Sequence, residues 1–523
     1  MEKTLYYGGR IITMQNTYPE AVLVQDGRIA SIGSLNDYAD CDALRVDLSG
    51  KTMLPGFIDP HSHFSQVASN MLQVSLVKCI SIADIQKTIA DYIRDAKPEE
   101  GTWIVCTGYD HNRLNEKRHP DRHDLDDVSE AYPILIQHQS GHAGVLNTDG
   151  LKALHIDKDT PDPEGGRYGR RDAELTGYLE ENAFFNTVKS VPAASGAQLM
   201  DAYHRAQDRY ASFGITTVKE GYMVSQMIPM YQMLLQNKML KLDLVGYPDI
   251  ESYEEFCRLF KESVKKYDSH FKIGGLKMFL DGSPQARTAW MRKPYANESE
   301  YCGYGTLKDE SVYSNIMLAD RYQTQILAHC NGDAAAAQYL SQLKKAKNSG
   351  ADLAHMKPVM IHAQLLDTDQ LDEVRALSVI PSFFIAHIYH FGDTHIRNFS
   401  FERAERISCA GSALSKGILF TFHQDAPVIE PDMLETIWCA VNRVTSSGVL
   451  LGKEERIPVY EAIKAVTVNA AEQYSETDKG SIKPGSKADF VILAENPLEA
   501  EPMHIRDIKV LETIKDGVTV YRR

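Results

Sequence analysis

The chain has 523 residues, room for a large domain and a smaller one, and its make-up of 43% hydrophobic and 24% charged residues is that of a globular protein. A net charge of −15 argues against a general binder of nucleic acid or of anionic membranes. No apolar run reaches membrane-spanning length, Met1-Glu2-Lys3-Thr4-Leu5-Tyr6 lacks the apolar core of a signal peptide, and the eight cysteines form no Cys-x-x-Cys pair, so a reduced, cytoplasmic protein is expected.

In chain order, residues 1 to about 55 read as β-rich. Leu5-Tyr6-Tyr7 and Arg10-Ile11-Ile12-Thr13-Met14 flank Gly8-Gly9, while Ala21-Val22-Leu23-Val24 and Ile29-Ala30-Ser31-Ile32 flank Asp26-Gly27; both patterns predict hairpins. The far end has the same character, with Ala488-Asp489-Phe490-Val491-Ile492-Leu493, Val510-Leu511-Glu512-Thr513-Ile514 and a turn at Asp516-Gly517. The two ends are expected to pair as one small β-sandwich domain, 1–55 plus 479–523; the alternative is two separate terminal arms. Across 56–478, short apolar runs alternate with longer helical stretches, the signature of a parallel sheet wound with helices. Eight candidate strands at 57–61, 134–137, 215–219, 275–279, 325–329, 359–362, 379–383 and 418–423 are the number that closes an α/β (β/α)8 TIM barrel. A further strand at 103–106 belongs either to the barrel or to an excursion from it. The interval 64–200 is too long for one strand–helix unit and is read as an insertion, within which 158–171, rich in Pro, Gly and charge, is expected to be a loop.

The chemistry gathers at strand ends. Leu54-Pro55-Gly56-Phe57-Ile58-Asp59-Pro60-His61-Ser62-His63 sets two histidines one residue apart. In an extended segment residues i and i+2 face the same side, so His61 and His63 are aimed at one point, which suits a metal ion. Taken alone, two ordinary satisfied histidines are an equal reading. Further along, Gly275-Leu276-Lys277-Met278-Phe279 buries a lysine in an apolar strand, Ile326-Leu327-Ala328-His329 and Met360-Ile361-His362 end in histidine, and Thr421-Phe422-His423-Gln424-Asp425 ends in aspartate. Barrel enzymes work at the C-terminal ends of their strands.

With these residues the chain resembles the metal-dependent amidohydrolase superfamily, and more narrowly its branch of YtcJ-like and N-substituted formamide deformylase-like proteins. The resemblance is carried by Pro55 to His63, by Leu276-Lys277-Met278-Phe279-Leu280-Asp281-Gly282-Ser283, by His329-Cys330-Asn331-Gly332-Asp333-Ala334, by His362-Ala363-Gln364, by Asp425-Ala426-Pro427 and by the tail Gly480-Ser481-Ile482-Lys483-Pro484-Gly485-Ser486-Lys487-Ala488-Asp489. It implies a metal-dependent hydrolase that cleaves a non-peptide carbon–nitrogen bond of a small-molecule substrate by attack of a metal-bound hydroxide. His61 and His63 would hold the more buried ion, His329 and His362 a second where there is one, and Asp425 would bind the first ion and serve as general acid and base. A divalent metal, zinc above all, in one or two copies is implied; such an ion lowers the pKa of its water from about 15.7 to about 7. Lys277 would bridge two ions as an N-carboxylated lysine, since a buried amine loses its charge and reacts with carbon dioxide; the alternative is a lysine paired with Asp281.

Substrate contact is expected from His142, Arg287, Asp281 and Tyr109, with Arg287 equally readable as a rim salt bridge. Asp110 and His138 are further pocket candidates, and His387, His390 and His395 read as a solvated loop. Where the superfamily usually has Gly-Ser before the final aspartate, this chain has His423 and Gln424; where it often has Glu before the histidine of the sixth strand, this chain has Ile361. A deaminase and a non-catalytic regulatory protein on the same fold are the rival readings. The resemblance leaves a homodimer open, and no nucleic-acid or membrane partner is expected.

Overall fold

The strand Phe57–Ile58 pairs in parallel with Ile215–Met223, which pairs with Asp243–Pro248, which pairs with Phe271–Ile273. In this computed structural model, which describes residues 3–129, 131–192 and 194–523, a second parallel sheet runs through Gly275–Phe279, Gln325–Cys330, Val359–His362, Ile380–Phe383 and Thr421–Phe422. The two sheets meet at Gly274, where a side chain has no room: a Cβ would lie 2.6 Å from the Tyr247 ring. Backbone bonds from Asp425 N to His61 O (3.3 Å) and from His63 N to Ala426 O (2.8 Å) tie the segment after the first of these strands to the segment after the last. Helices such as Ile228–Gln236, Asp309–Arg321 and Asp333–Asn348 separate the strands, giving a TIM-barrel-like α/β arrangement. Strand Asp243–Pro248 is buried along its whole length, as expected of parallel strands covered on both faces. Ile58, Val245, Leu327, Val359, Ile361 and Ile380, from five of these strands, share one apolar cluster.

The chain divides into two compact units, Met1–Ser65 with Ala206–Arg523, and Gln66–Arg205. The second unit has its own six-stranded sheet, in the order Gly166–Arg171, Glu174–Glu181, Ala143–Leu146, Ile134–His138, Ile104–Tyr109, Val74–Ser75. Helix Ile82–Ala96 is capped by Ser81 and buries Ile82, Ile85 and Ile89 in a cluster with Ile104, Cys106, Ile134 and Ile136.

Several sequence expectations change here. The run 134–137 is not a strand of the parallel system of the first unit; it lies in the sheet of the second unit beside Ile104–Tyr109. The strand that stands in its place is Asp243–Pro248, which the sequence disguises with Gly246 and Pro248. The stretch 158–171 is a loop only in its first part, because Gly166–Arg171 forms a hairpin with Glu174–Glu181 across Asp172 and Ala173, both at positive φ. Gly8-Gly9 makes no hairpin: Lys3–Tyr7 pairs with Ala21–Gln25 and Leu44–Asp47, whereas Arg10–Ile11 pairs with Thr52–Pro55 in another sheet. The glycines carry the chain from one sheet to the other.

Asp26-Gly27 and Asp516-Gly517 both form two-residue turns with φ above zero at each position. Chain-end strands contribute to a sheet of Arg28–Gly33, Ala21–Gln25, Lys3–Tyr7 and Leu44–Asp47, and to a sheet of Arg10–Ile11, Thr52–Pro55, Phe490–Leu493, Val510–Lys515 and Val518–Arg522. Tyr6, Val22 and Val24 from one and Met53, Phe490, Ile492 and Ile514 from the other join a single apolar cluster. Strand Asp243–Pro248 is fastened to the C-terminal segment by charge. Asp243 Oδ2 lies 2.6 Å from Lys479, 3.1 Å from Lys487 and 3.1 Å from Lys515, and its Oδ1 lies 2.7 Å from His270 Nδ1. Burial works to raise the Asp243 pKa, and the lysines outweigh it and hold the carboxyl well below its usual range. Among the described residues no helix is long and apolar enough to cross a membrane.

Candidate metal centre

After Ile58 the chain leaves the strand and turns through Asp59 to His63, and the turn is pinned from beneath. Lys219 Nζ and Gln473 Nε2 both donate to Pro60 O, at 2.9 and 3.0 Å, and Tyr474 Oη donates to Asp59 O at 2.8 Å. Asp59 Oδ1 accepts from His61 N at 3.2 Å. These anchors aim His61 inward, where it is 1% exposed. Gly221 makes the placement feasible: a Cβ there would stand 2.5 Å from His61 Cε1 and 2.8 Å from its Nδ1.

His61, His63 and Asp425 converge, with one potential ligand atom from each within 4.8 Å of the others. Asp425 Oδ1 lies 3.2 Å from His61 Nε2 and 3.3 Å from His63 Nε2, yet among the described residues this buried oxygen has no aligned hydrogen-bond donor. Two ligands on one zinc at about 2.1 Å and a tetrahedral angle stand about 3.4 Å apart. The spacing and the missing donor fit three groups arranged around a cation. Burial alone would raise the Asp425 pKa; its contacts with His61 and His63 and the influence of His362 outweigh that and hold it well below the carboxylate range. Burial and the Lys277 charge push His61 well below the usual imidazole value, so it is neutral, the form that binds metal.

A second pair stands beside the first group. His362 Nε2 is 3.1 Å from His329 Nδ1, and the His61 and His362 ring centroids are 5.5 Å apart. Burial pushes His329 down to about 4. Lys277, 1% exposed, has a buried Nζ without a hydrogen-bond partner among the described residues; burial brings its pKa down to about 7 against the pull of Asp425. A lone buried amine is rare enough to call for an explanation. Asp425 and His362 take φ of 56° and 71°, in the left-handed region that non-glycine residues avoid, and such strain gathers at functional sites.

The expected substrate contacts are placed differently. The Asp281 carboxylate is taken up by three backbone amides, from Asn331 at 2.9 Å, Gly332 at 2.7 Å and Trp290 at 3.0 Å, and Arg287 pairs with Glu298 at 3.0 Å. Tyr109 and His142 lie in the second unit, where Tyr109 Oη meets His119 Nδ1 at 2.9 Å and His142 Nδ1 meets Glu181 at 3.1 Å. Also there, Asp110, His111 and His138 form a cluster. It is internally satisfied: His138 Nε2 is 3.1 Å from His111 Nδ1, its Nδ1 accepts from Ser140 N, and Gln139 donates to Asp110. His387 and His395, expected in a solvated loop, are buried on helix His387–Phe399 with Nδ1 and Nε2 3.0 Å apart, because their i, i+8 spacing puts them on the covered face. His390 is partly exposed and pairs with Glu435.

Three supporting residues escaped the sequence reading. Lys219, Glu220 and Gly221 follow one another in strand Ile215–Met223. Glu220 is buried, accepts from Ser65 N at 2.7 Å and Tyr231 Oη at 3.0 Å, and approaches His63 Nδ1 to 3.9 Å. Their signal was a Lys-Glu pair inside an apolar strand, the same kind that singled out Lys277.

A family model described as the amidohydrolase family matches residues 45–521. The chain is 27% identical to the protein YtcJ of Bacillus subtilis over the full length of both, and 25% identical to the N-substituted formamide deformylase of Arthrobacter pascens, covering 98% of this chain and 97% of that one. The crystal structure of an uncharacterized metal-dependent hydrolase from Pyrococcus furiosus shares the fold, with a TM-score of 0.74 and 22% identity over 95% of this chain and 100% of that one.

Proposed function

Because the chain belongs to the amidohydrolase family, and is with it a hydrolase acting on carbon–nitrogen bonds, we propose that it cleaves a non-peptide amide-type bond at the centre formed by His61, His63 and Asp425, on a closed (β/α)8 barrel that carries a β-sandwich. The observation that carries this reading is the buried Asp425 Oδ1, 3.2 and 3.3 Å from two imidazole nitrogens and without an aligned hydrogen-bond donor among the described residues. A divalent ion, zinc by the nitrogen and oxygen donors present, would be held there by His61, His63 and Asp425, with His329, His362 and an N-carboxylated Lys277 taking a second. When bound, it supplies an acidified water and polarises the substrate carbonyl.

The protein's own part is positioning and proton transfer. Asp425, kept ionised, accepts the proton of the attacking water and returns it to the leaving nitrogen, so that the amine departs neutral. His61 and His63 stay fixed by the turn beneath them, which removes the need for reorganisation during the reaction. Lys277, with a pKa near 7, has a substantial neutral fraction at neutral pH, the form that adds carbon dioxide to give a carbamate and a proton. N-substituted formamides lead the substrate classes because a relative that matches nearly the whole chain is named for them; N-acyl amines and cyclic amides or ureas follow. The test is a screen of N-formyl and N-acyl amines with zinc-loaded protein, chelated protein and Asp425→Asn. Amine release by the loaded wild type alone is expected; equal release by all three overturns the reading.

A further inference from the structure

His423 touches His362 at the ring nitrogen opposite the one that meets His329. Its Nε2 lies 3.1 Å from His362 Nδ1 and its Nδ1 lies 3.0 Å from Ser382 Oγ. All three side chains are buried, His423 and Ser382 completely. On the other side His362 Nε2 stands 3.1 Å from His329 Nδ1, and His329 Nε2 faces the Gly282 carbonyl at 3.2 Å.

Proton bookkeeping along this string has few solutions. His329 Nε2 faces an acceptor, Gly282 O, and a donor, Asn331 Nδ2 at 3.0 Å; the tautomer that gives its Nε2 proton to Gly282 O is the one that leaves Nδ1 bare for a cation. A neutral His362 has one proton to place. Placed on Nε2 it closes a hydrogen bond to His329 and blocks a cation. Placed on Nδ1 it is accepted by His423 Nε2, whose own proton then sits on Nδ1 and is accepted by Ser382 Oγ. His423 is wholly buried between His362 and Ser382, with one ring nitrogen on each, which suits a neutral ring able to act as that acceptor. We infer that His423 is a positioning residue for a second cation: by accepting the His362 Nδ1 proton it leaves His362 Nε2 bare, beside His329 Nδ1. The inference rests on the metal-centre reading above and deepens it.

A ligating imidazole gains basicity from the group that takes its other proton, and a neutral ring gives less than a carboxylate. His63 Nδ1 lies 3.9 Å from the Glu220 carboxylate, within ion-pair range though beyond a hydrogen bond, whereas His362 meets a neutral ring. The two ions therefore load in sequence, with the one at His329 and His362 the weaker.

The test is a zinc titration of the chelated full-length protein against a competing chromophoric chelator, with bound zinc counted by mass spectrometry. Wild type is expected to fill in two steps. His423→Leu, which offers no acceptor, is expected to weaken the second step about 10- to 100-fold and spare the first. His423→Asn, whose amide oxygen can accept, is expected to recover part of the loss. Ser382→Ala makes a smaller perturbation that serves if His423→Leu does not fold, and it too should weaken only the second step. A second step unchanged in His423→Leu, or in Ser382→Ala where that variant stands in, overturns the inference, as does equal weakening of both steps or an asparagine no better than leucine. A wild type that fills in one step overturns this inference alone; a wild type that binds no zinc overturns the proposed centre with it.

Discussion

His61 Nε2 and Asp425 Oδ1 lie 3.2 Å apart, one following the first strand of the parallel system and the other following the last. The pair is side by side because backbone bonds join the two segments on either side of it. Asp425→Asn keeps the size and loses the charge. Its kcat/KM on any substrate found is expected to fall at least about 10³-fold, since both proton transfer and ion binding are lost. Steady-state kinetics combined with zinc counting checks this.

Lys277 gives a pH-dependent prediction with a definite sign. Its folded pKa is about 7 and its unfolded one about 10.5. Between these values the unfolded chain binds the extra proton, so the lysine's contribution to stability rises with pH across that window, and below pH 7 its desolvation penalty is present in full. Lys277→Met in chelated protein is therefore expected to be more stable than wild type at pH 6, by roughly 1–4 kcal/mol, with the gain fading towards pH 10. Urea unfolding at both pH values measures it. The same variant should lose the carbamate signal that ¹³C-bicarbonate gives the zinc-loaded wild type.

Gly221→Ala tests the packing around His61. The added methyl would stand 2.5 Å from the His61 ring, so either the ring or the strand must move. A loss of about 1–3 kcal/mol in stability is expected, with weaker binding of the first zinc. Zinc affinity unchanged from wild type would show that the ring has room to shift.

Asp243→Asn tests the charged fastening at the other end of the strands. It leaves Lys479, Lys487 and Lys515 without their shared carboxylate, and breaking a buried ion pair from one side is expected to destabilise by about 3–5 kcal/mol. The melting temperature should drop while zinc stoichiometry at low temperature holds.

How much of this was legible in the sequence depends on how local the signal was. His61-Ser62-His63 declares itself because two imidazoles one residue apart are a local pattern, although the strand ends at Ile58 and the chain bends through these residues instead of running extended. Lys277 declares itself because a charge in an apolar strand needs a reason, and Lys219-Glu220 carried the same mark unread. The strand Asp243–Pro248 was missed because Gly246 and Pro248 look like turn residues, although burial on both faces suits a glycine that admits Met223 and Phe271 closely. The run 134–137 was assigned to the wrong sheet because an apolar run states that it will be buried but not against which partner. His423 stood out only as a departure; its contact with His362 depends on the register of three strands.

The central claim is that His61, His63 and Asp425 share one cation. The most direct measurement is a crystal structure of the zinc-loaded protein with anomalous diffraction at the zinc edge. The account predicts an anomalous peak at about 2.0–2.2 Å from His61 Nε2, His63 Nε2 and an Asp425 oxygen. Zinc-loaded crystals in which these three side chains hold no anomalous peak, or in which the metal sits elsewhere, would contradict it.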